Sequence, residues 1–144
     1  MTAPEAGFDH VGLSVAALEA ATGFYGRAFG FTQELTFALG RDDIRGVMLL
    51  HPCGARLELF ERPGAAAGIQ GATPIEALGT RGFGHFAMST PDLDALFDHA
   101  TAEGATAVIE PSASPEPGVR FAFLADLEGN LVELVERADG RGRS

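Results

Sequence analysis

Four residues stand out as a set able to do chemistry: His10, Glu58, His85 and Glu133. The second pair repeats the first 75 positions later (85 − 10; 133 − 58). Two imidazoles and two carboxylates, if gathered in one place, ask for a cation. Carboxylates about 4 Å apart repel by about 4 kcal/mol at an effective dielectric of 20, and burying them unpaired costs more. Mixed nitrogen and oxygen donors suit one divalent transition ion (nickel, cobalt, zinc, iron or manganese), whereas calcium takes oxygen ligands only. Four protein ligands around an octahedral ion leave two positions for water or for two adjacent substrate oxygens.

The repeat extends beyond these four. HPCGARLELFER (51–62) aligns on DLEGNLVELVER (126–137) at the offset of 75, sharing Gly54/Gly129, Leu59/Leu134, Glu61/Glu136 and Arg62/Arg137. FDHVGLSVAALEA (8–20) aligns on FGHFAMSTPDLDA (83–95) at that offset through Phe8/Phe83, Ser14/Ser89, Leu18/Leu93 and Ala20/Ala95. Arg45/Arg120 and Leu49/Leu124 join them. One domain, 1–144, is therefore read as module one (7–62), a Gly/Ala/Pro-rich linker (63–81), module two (82–137) and a flexible tail (138–144); residues 1–6 are expected to fray.

The elements that must position the four residues follow from periodicity. Each module reads as β-α-β-β-β. A short strand over 8–14 precedes a helix near 16–29, whose Leu18, Ala21, Tyr25 and Phe29 share a face before Gly30 stops it. Strands follow near 32–38, 45–50 and 56–61. In module two, Thr90 is a candidate helix N-cap with Pro91 as the first helical residue. Leu93, Phe97 and Ala100 form that helix's face and Gly104 ends it. Strands are expected near 106–110, 119–125 and 131–136. Because side chains alternate along a strand, Val11, Leu13, Leu57 and Leu59 face the helix, while His10, Ser14, Arg56, Glu58 and Phe60 face away. Phe86, Met88, Val132 and Leu134 likewise oppose His85, Ser89 and Glu133. The fold class is α+β, with two tandem βαβββ modules forming a cupped mixed sheet around a metal site. The parity alone leaves open whether one chain closes the cup or two chains share it.

Composition restricts the partners. At 144 residues with 46% hydrophobic and 21% charged residues the chain is an ordinary globular domain. A net charge of −10 excludes nucleic acid and anionic membranes as partners. All ten basic residues are arginine, so no lysine can form a Schiff base or a P-loop. No signal peptide or membrane span is legible, and the single cysteine, Cys53, has no intrachain partner; a cytoplasmic location is expected.

FDHVGLSV…FYGRAFGF, ARLELFE, GHFAMS and DLEGNLVELVE resemble the vicinal oxygen chelate superfamily from about 8 to 137. That group holds glyoxalase I, epimerases, extradiol dioxygenases and bleomycin or fosfomycin resistance proteins. The resemblance implies paired βαβββ modules, a homodimer, and metal ligands at His10, Glu58, His85 and Glu133. Glutamate at 58 is most similar to glyoxalase I. Ser14 stands where that enzyme has an arginine, and Glu61 and Arg62 stand where it has an asparagine, which puts glutathione as co-substrate in question. The function so implied is a metal-dependent isomerase or lyase. It chelates the vicinal oxygens of a small molecule and stabilises an enediolate, with Glu133 or Glu58 as the base. Arg56, Phe60, Ser14 and Ser89 are the substrate-binding candidates. An iron(II) extradiol-type dioxygenase and a non-enzymatic binding or resistance protein are the alternatives. Glu61 and Glu136 are expected to be solvated strand ends, and His51, His99 and Cys53 to be bystanders near the surface.

Overall fold

The computed structural model describes residues 2–40, 43–68 and 71–138. Alternation and helical spacing resolve into β1 (His10–Ser14), α1 (Leu18–Phe29), β2 (Thr32–Leu39), β3 (Ile44–Leu50) and β4 (Arg56–Glu61) in module one. Module two holds β5 (His85–Ser89), α3 (Leu93–Ala102), β6 (Thr106–Ala113), β7 (Val119–Ala125) and β8 (Leu131–Arg137). Between them the linker carries a short helix, α2 (Pro74–Ala77), that hydrophobic periodicity cannot reveal because it buries nothing. Thr73 caps it, accepting from the Glu76 N–H, and Pro74 occupies its first turn. The expected tail lies outside the described residues beyond 138.

Each module forms a four-stranded sheet, ordered β1-β4-β3-β2 and β5-β8-β7-β6. β1 runs parallel to β4, and β5 parallel to β8; all other pairs are antiparallel. The duplication holds at the level of register: His10 pairs with Arg56, and His85 with Leu131. Leu57, Leu59, Val132 and Leu134 are almost completely buried in one continuous core with Leu18, Tyr25, Leu93 and Phe97. α1 packs on β3 and β4, α3 on β6, β7 and β8, and the two helices touch each other. Truncating a core residue such as Leu59 to alanine costs about 2–5 kcal/mol.

The helix starts show what some of the repeated polar residues do. Ala17 offers α1 no side-chain cap. Instead Glu61, at the end of β4, accepts the Leu18 N–H at 2.8 Å, and Glu136, at the end of β8, accepts the Leu93 N–H at 2.8 Å. Arg45 pairs with Glu61 at 2.7 Å, while Arg120 lies 3.7 Å from Glu136 and 2.8 Å from Asp94. Glu61 and Glu136 are thus not solvated strand ends. They satisfy orphan helix donors from a neighbouring strand and place negative charge at the positive end of each helix. The N-cap of α3 is Asp92, not Thr90: its carboxylate accepts from the Ala95 N–H at 3.1 Å. The Thr90 hydroxyl accepts from the Asp92 N–H one turn earlier, which leaves Pro91 before the helix. β6 continues to Ala113, three residues past the expected end near 110.

The modules are joined by polar contacts as well as by core. Tyr25, fully buried in α1, donates to Asp126 Oδ2 at 2.7 Å, and the Ala16 N–H meets the Glu128 carboxylate at 2.7 and 3.0 Å. His99 is exposed as expected, yet its Nε2 lies 2.7 Å from the Arg27 carbonyl oxygen. Among the described residues no helix is long and apolar enough to cross a membrane.

Candidate functional site

Strand pairing brings each His onto its Glu. β1 lies beside β4, and His10 Nε2 sits 3.5 Å from Glu58 Oε1; β5 lies beside β8, and His85 Nε2 sits 3.1 Å from Glu133 Oε2. The imidazoles are a little over one-third exposed and the carboxylates are mostly covered. These separations match neighbouring donors on one ion, since bonds of about 2.0–2.2 Å put adjacent ligand atoms about 3–3.5 Å apart. The donor set therefore fits a borderline divalent ion, with one nitrogen and one oxygen per module.

The two pairs are dressed differently. His10 Nδ1 is 2.7 Å from Asp9 Oδ2. A carboxylate there holds the ring orientation and keeps the proton on Nδ1, leaving Nε2 to face the Glu58 oxygen. The Asp9 hydrogen bond, against some desolvation and with help from the Glu58 charge, raises the His10 pKa above the usual imidazole value. In module two the position equivalent to Asp9 is Gly84, and His85 is held by an aromatic neighbour instead: the Phe123 ring meets it edge-on at 5.0 Å. Asp9 was not singled out by the sequence because it has no partner at the offset of 75.

The remaining candidates fall where parity places them. Arg56 is on the ligand face of β4, but Glu34 holds it by two hydrogen bonds of 2.9 and 3.1 Å. A bulge between Gln33 and Leu35 releases Glu34 for this contact. Phe60 meets the Phe37 ring at 5.5 Å. Ser14 and Ser89 are exposed at the far ends of β1 and β5. His51 is half-buried against Phe31, with ring centroids 5.1 Å apart, and its Nδ1 accepts from the Cys53 N–H. It belongs to a turn rather than to the site.

The four candidate residues do not come together at one point of the chain. Among the described residues, no three His, Cys, Asp or Glu side chains converge as a metal centre would require. The His10/Glu58 pair and the His85/Glu133 pair stand apart, one on each sheet. Between the modules lies a cavity of about 460 Å³ whose walls include His10, His85, Phe8, Phe83, Arg81 and Asn130. Phe8 and Phe83, themselves 75 positions apart, are 87% and 108% exposed at its rim.

The chain matches the family model described as the Glyoxalase/Bleomycin resistance protein/Dioxygenase superfamily over residues 7–134. A lactoylglutathione lyase of Arabidopsis thaliana is 40% identical over 56 residues, which is 39% of this chain and 20% of that protein. The chain thus spans about a fifth of the length of that curated relative. Among solved structures, a glyoxylase/bleomycin resistance protein/dioxygenase domain from Frankia sp. superposes with a TM-score of 0.77 at 18% identity, covering 97% of this chain and 98% of that one. Glyoxalase I from Zea mays superposes with a TM-score of 0.72 at 23% identity, covering 91% of this chain and 44% of that one. With the strand order, the repeated register and the family match in agreement, this chain belongs to the glyoxalase/bleomycin resistance protein/dioxygenase superfamily, the vicinal oxygen chelate fold.

Proposed function

We propose that this protein is a metal-dependent enzyme of the glyoxalase type, a lyase or isomerase acting on a small molecule with vicinal oxygens, and that two copies share each active site. His10 and Glu58 of one copy and His85 and Glu133 of the other hold one divalent ion. The observation that carries the reading is the pair of half-sites, each with its nitrogen and oxygen at ligand spacing and neither complete alone. A two-fold dimer completes both half-sites at once, because each copy offers one of each kind. β1 and β5 each have only one neighbour in their sheets, so both present an open edge to a second copy. The exposed Phe8 and Phe83 beside those edges, with Ile75 and Leu78 of the linker, supply apolar surface for it to cover.

When bound, the ion supplies Lewis acidity that stabilises charge on the substrate's oxygens. The protein's own part is positioning and proton transfer. Asp9 and Phe123 fix the two imidazoles, and Glu133, with Glu58 as its counterpart, takes and returns the substrate proton. A dioxygenase has less support: Tyr25, the only tyrosine, is buried and bonded to Asp126, and His51 and His99 are engaged elsewhere. The match to a lactoylglutathione lyase supports the lyase class.

The test is metal analysis of the native protein, followed by metal stripping and refilling with nickel, cobalt, zinc, iron or manganese. Stoichiometric metal should return with activity towards a vicinal-oxygen substrate. Glu133→Gln should abolish that activity, and wild-type turnover in this variant would overturn the mechanism.

A further inference from the structure

The walls around the half-sites carry information about the substrate's body, independent of its oxygens. On β4, parity puts Arg56 beside Glu58; on β8 it puts Arg137 on the side of Glu133. These are the cations that a substrate carboxylate would need. Both are already taken: Arg56 by Glu34 at 2.9 and 3.1 Å, and Arg137 by Glu116 at 2.6 Å. Arg62, one residue past β4, is engaged as well. Arg45 and Arg120 point to the helix side, where Glu61, Glu19 and Asp94 hold them. Arg81 lies in the loop before β5, outside the two sheets but in the wall of the cavity that His10 and His85 also line.

What remains on those faces is apolar. In module one, Phe37 lies flat across β3 because Gly46 beneath it has no side chain: a Cβ there would stand 2.4 Å from the Phe37 ring. Phe60 meets it edge-on, and Met48 sits beside Glu58 in register. In module two, Phe121 and Phe123 stack edge-on at 6.0 Å, and register sets them beside Val135 and Glu133. Phe123 is only 5% exposed yet stands outside the main core, so it belongs to the site wall and not to the packing under α3. Each His/Glu pair is thus bordered by two phenylalanines, in a chain of net charge −10.

We infer that the substrate carries its vicinal oxygens on an apolar, aromatic-compatible body, and that the site turns away ligands whose bodies bear carboxylates, glutathione conjugates included. The inference rests on the shared His/Glu metal site proposed above, and deepens it by naming the substrate class. Phe37, Phe60, Phe121 and Phe123 form the two shelves that receive the body. A glutathione conjugate would bring two carboxylates; among the described residues neither ligand face has an unpaired cation to meet them and the cavity wall offers Arg81 alone, and uncompensated charge near covered carboxylates is costly.

Titration calorimetry on the protein tests this with four probes. Benzohydroxamate and acetohydroxamate present the same chelating oxygens with and without a phenyl ring, and are measured on nickel-loaded protein. S-hexylglutathione and 1-hexanol present the same alkyl chain with and without the charged tripeptide, and need no metal. Benzohydroxamate should bind about tenfold or more tighter than acetohydroxamate, as burial of one ring provides. Phe37→Ala and Phe121→Ala, both at half-buried positions, should each shrink that ratio while leaving acetohydroxamate unchanged. S-hexylglutathione should bind no tighter than 1-hexanol. Equal affinity for the two hydroxamates would overturn the inference. So would S-hexylglutathione binding about tenfold tighter than 1-hexanol, with the gain lost in Arg56→Ala or Arg81→Ala. If neither hydroxamate binds nickel-loaded protein, the metal reading fails, and the metal-free pair still decides whether a charged body is accepted.

Discussion

Replacing Tyr25 by phenylalanine removes a single oxygen from the seam between the modules. That oxygen is fully buried and donates to Asp126 at 2.7 Å. Asp126 is itself 6% exposed, the only charged side chain buried to that degree among the described residues. Its Oδ1 accepts from the Glu128 and Asn130 N–H groups at 2.9 and 2.8 Å, and its Oδ2 also accepts from Asn130 Nδ2 at 2.9 Å. The substitution leaves three of these bonds and takes away the one that crosses modules. A hydrogen bond to a charged group contributes about 1.5–3 kcal/mol, and the ring itself stays packed, so Tyr25→Phe should cost about 2 kcal/mol. For a chain of this size that is a fall in Tm of about 4–8 °C. Urea titration with a double-mutant cycle against Asp126→Asn isolates the pair, and the two changes should be clearly non-additive. The pH dependence carries a second signature. Burial first, then the Asp126 charge, raises the Tyr25 pKa above its ordinary value near 10. The stability it contributes is therefore fully present below about pH 10 and falls as pH rises beyond it, because the unfolded phenol ionises first. Tyr25→Phe should remove that alkaline decline. A loss below about 0.5 kcal/mol, or strict additivity with Asp126→Asn, would refute the seam as described.

Other consequences are as specific. Arg45 and Arg120 lower the carboxylate pKa values of Glu61 and Asp94, so their contribution is present above the ordinary carboxylate range and fades as pH falls through it. Acid unfolding of Glu61→Gln should accordingly show a shallower pH dependence than wild type, read by circular dichroism at constant temperature. Gly46→Val should displace the Phe37 ring and cost about 1–3 kcal/mol through overpacking; benzohydroxamate affinity should fall with it, while Gly40→Ala, an exposed loop control, should leave that affinity unchanged.

Much of this architecture was legible in the sequence because duplication doubles every signal. The two βαβββ modules, the inward rows of Leu57/Leu59 and Val132/Leu134, and the pairing of His10 with Glu58 and His85 with Glu133 all follow from strand parity read twice. Parity says nothing of how two sheets are set relative to each other, so it leaves open whether one chain gathers the four candidates; in the chain they stand as two separate His/Glu pairs. Repetition also marked Glu61/Glu136 and Arg45/Arg120 without revealing their use. Their job, closing the first turn of a helix from a strand 43 residues further on, is a long-range contact that local pattern does not encode. Features that the repeat does not match escaped altogether: Asp9 behind His10, Asp126 under Tyr25, and the one-turn helix α2 in the linker. Thr90-Pro91 has every local mark of a helix start, and Asp92 displaced it because its carboxylate reaches the Ala95 N–H.

The claim that two copies share each metal site is tested most directly by complementation between His10→Ala and His85→Ala. Each variant alone lacks one ligand at every site and should hold little metal. Mixed in equal amounts and allowed to exchange subunits, half the dimers become heterodimers, and each of those contains one site with all four ligands intact. Metal bound per chain, measured after dialysis against nickel, should rise from near zero to about one quarter of the wild-type value. If the mixture binds no more metal than the separate variants although subunit exchange is shown to occur, the ligands are not shared between copies and the account is wrong.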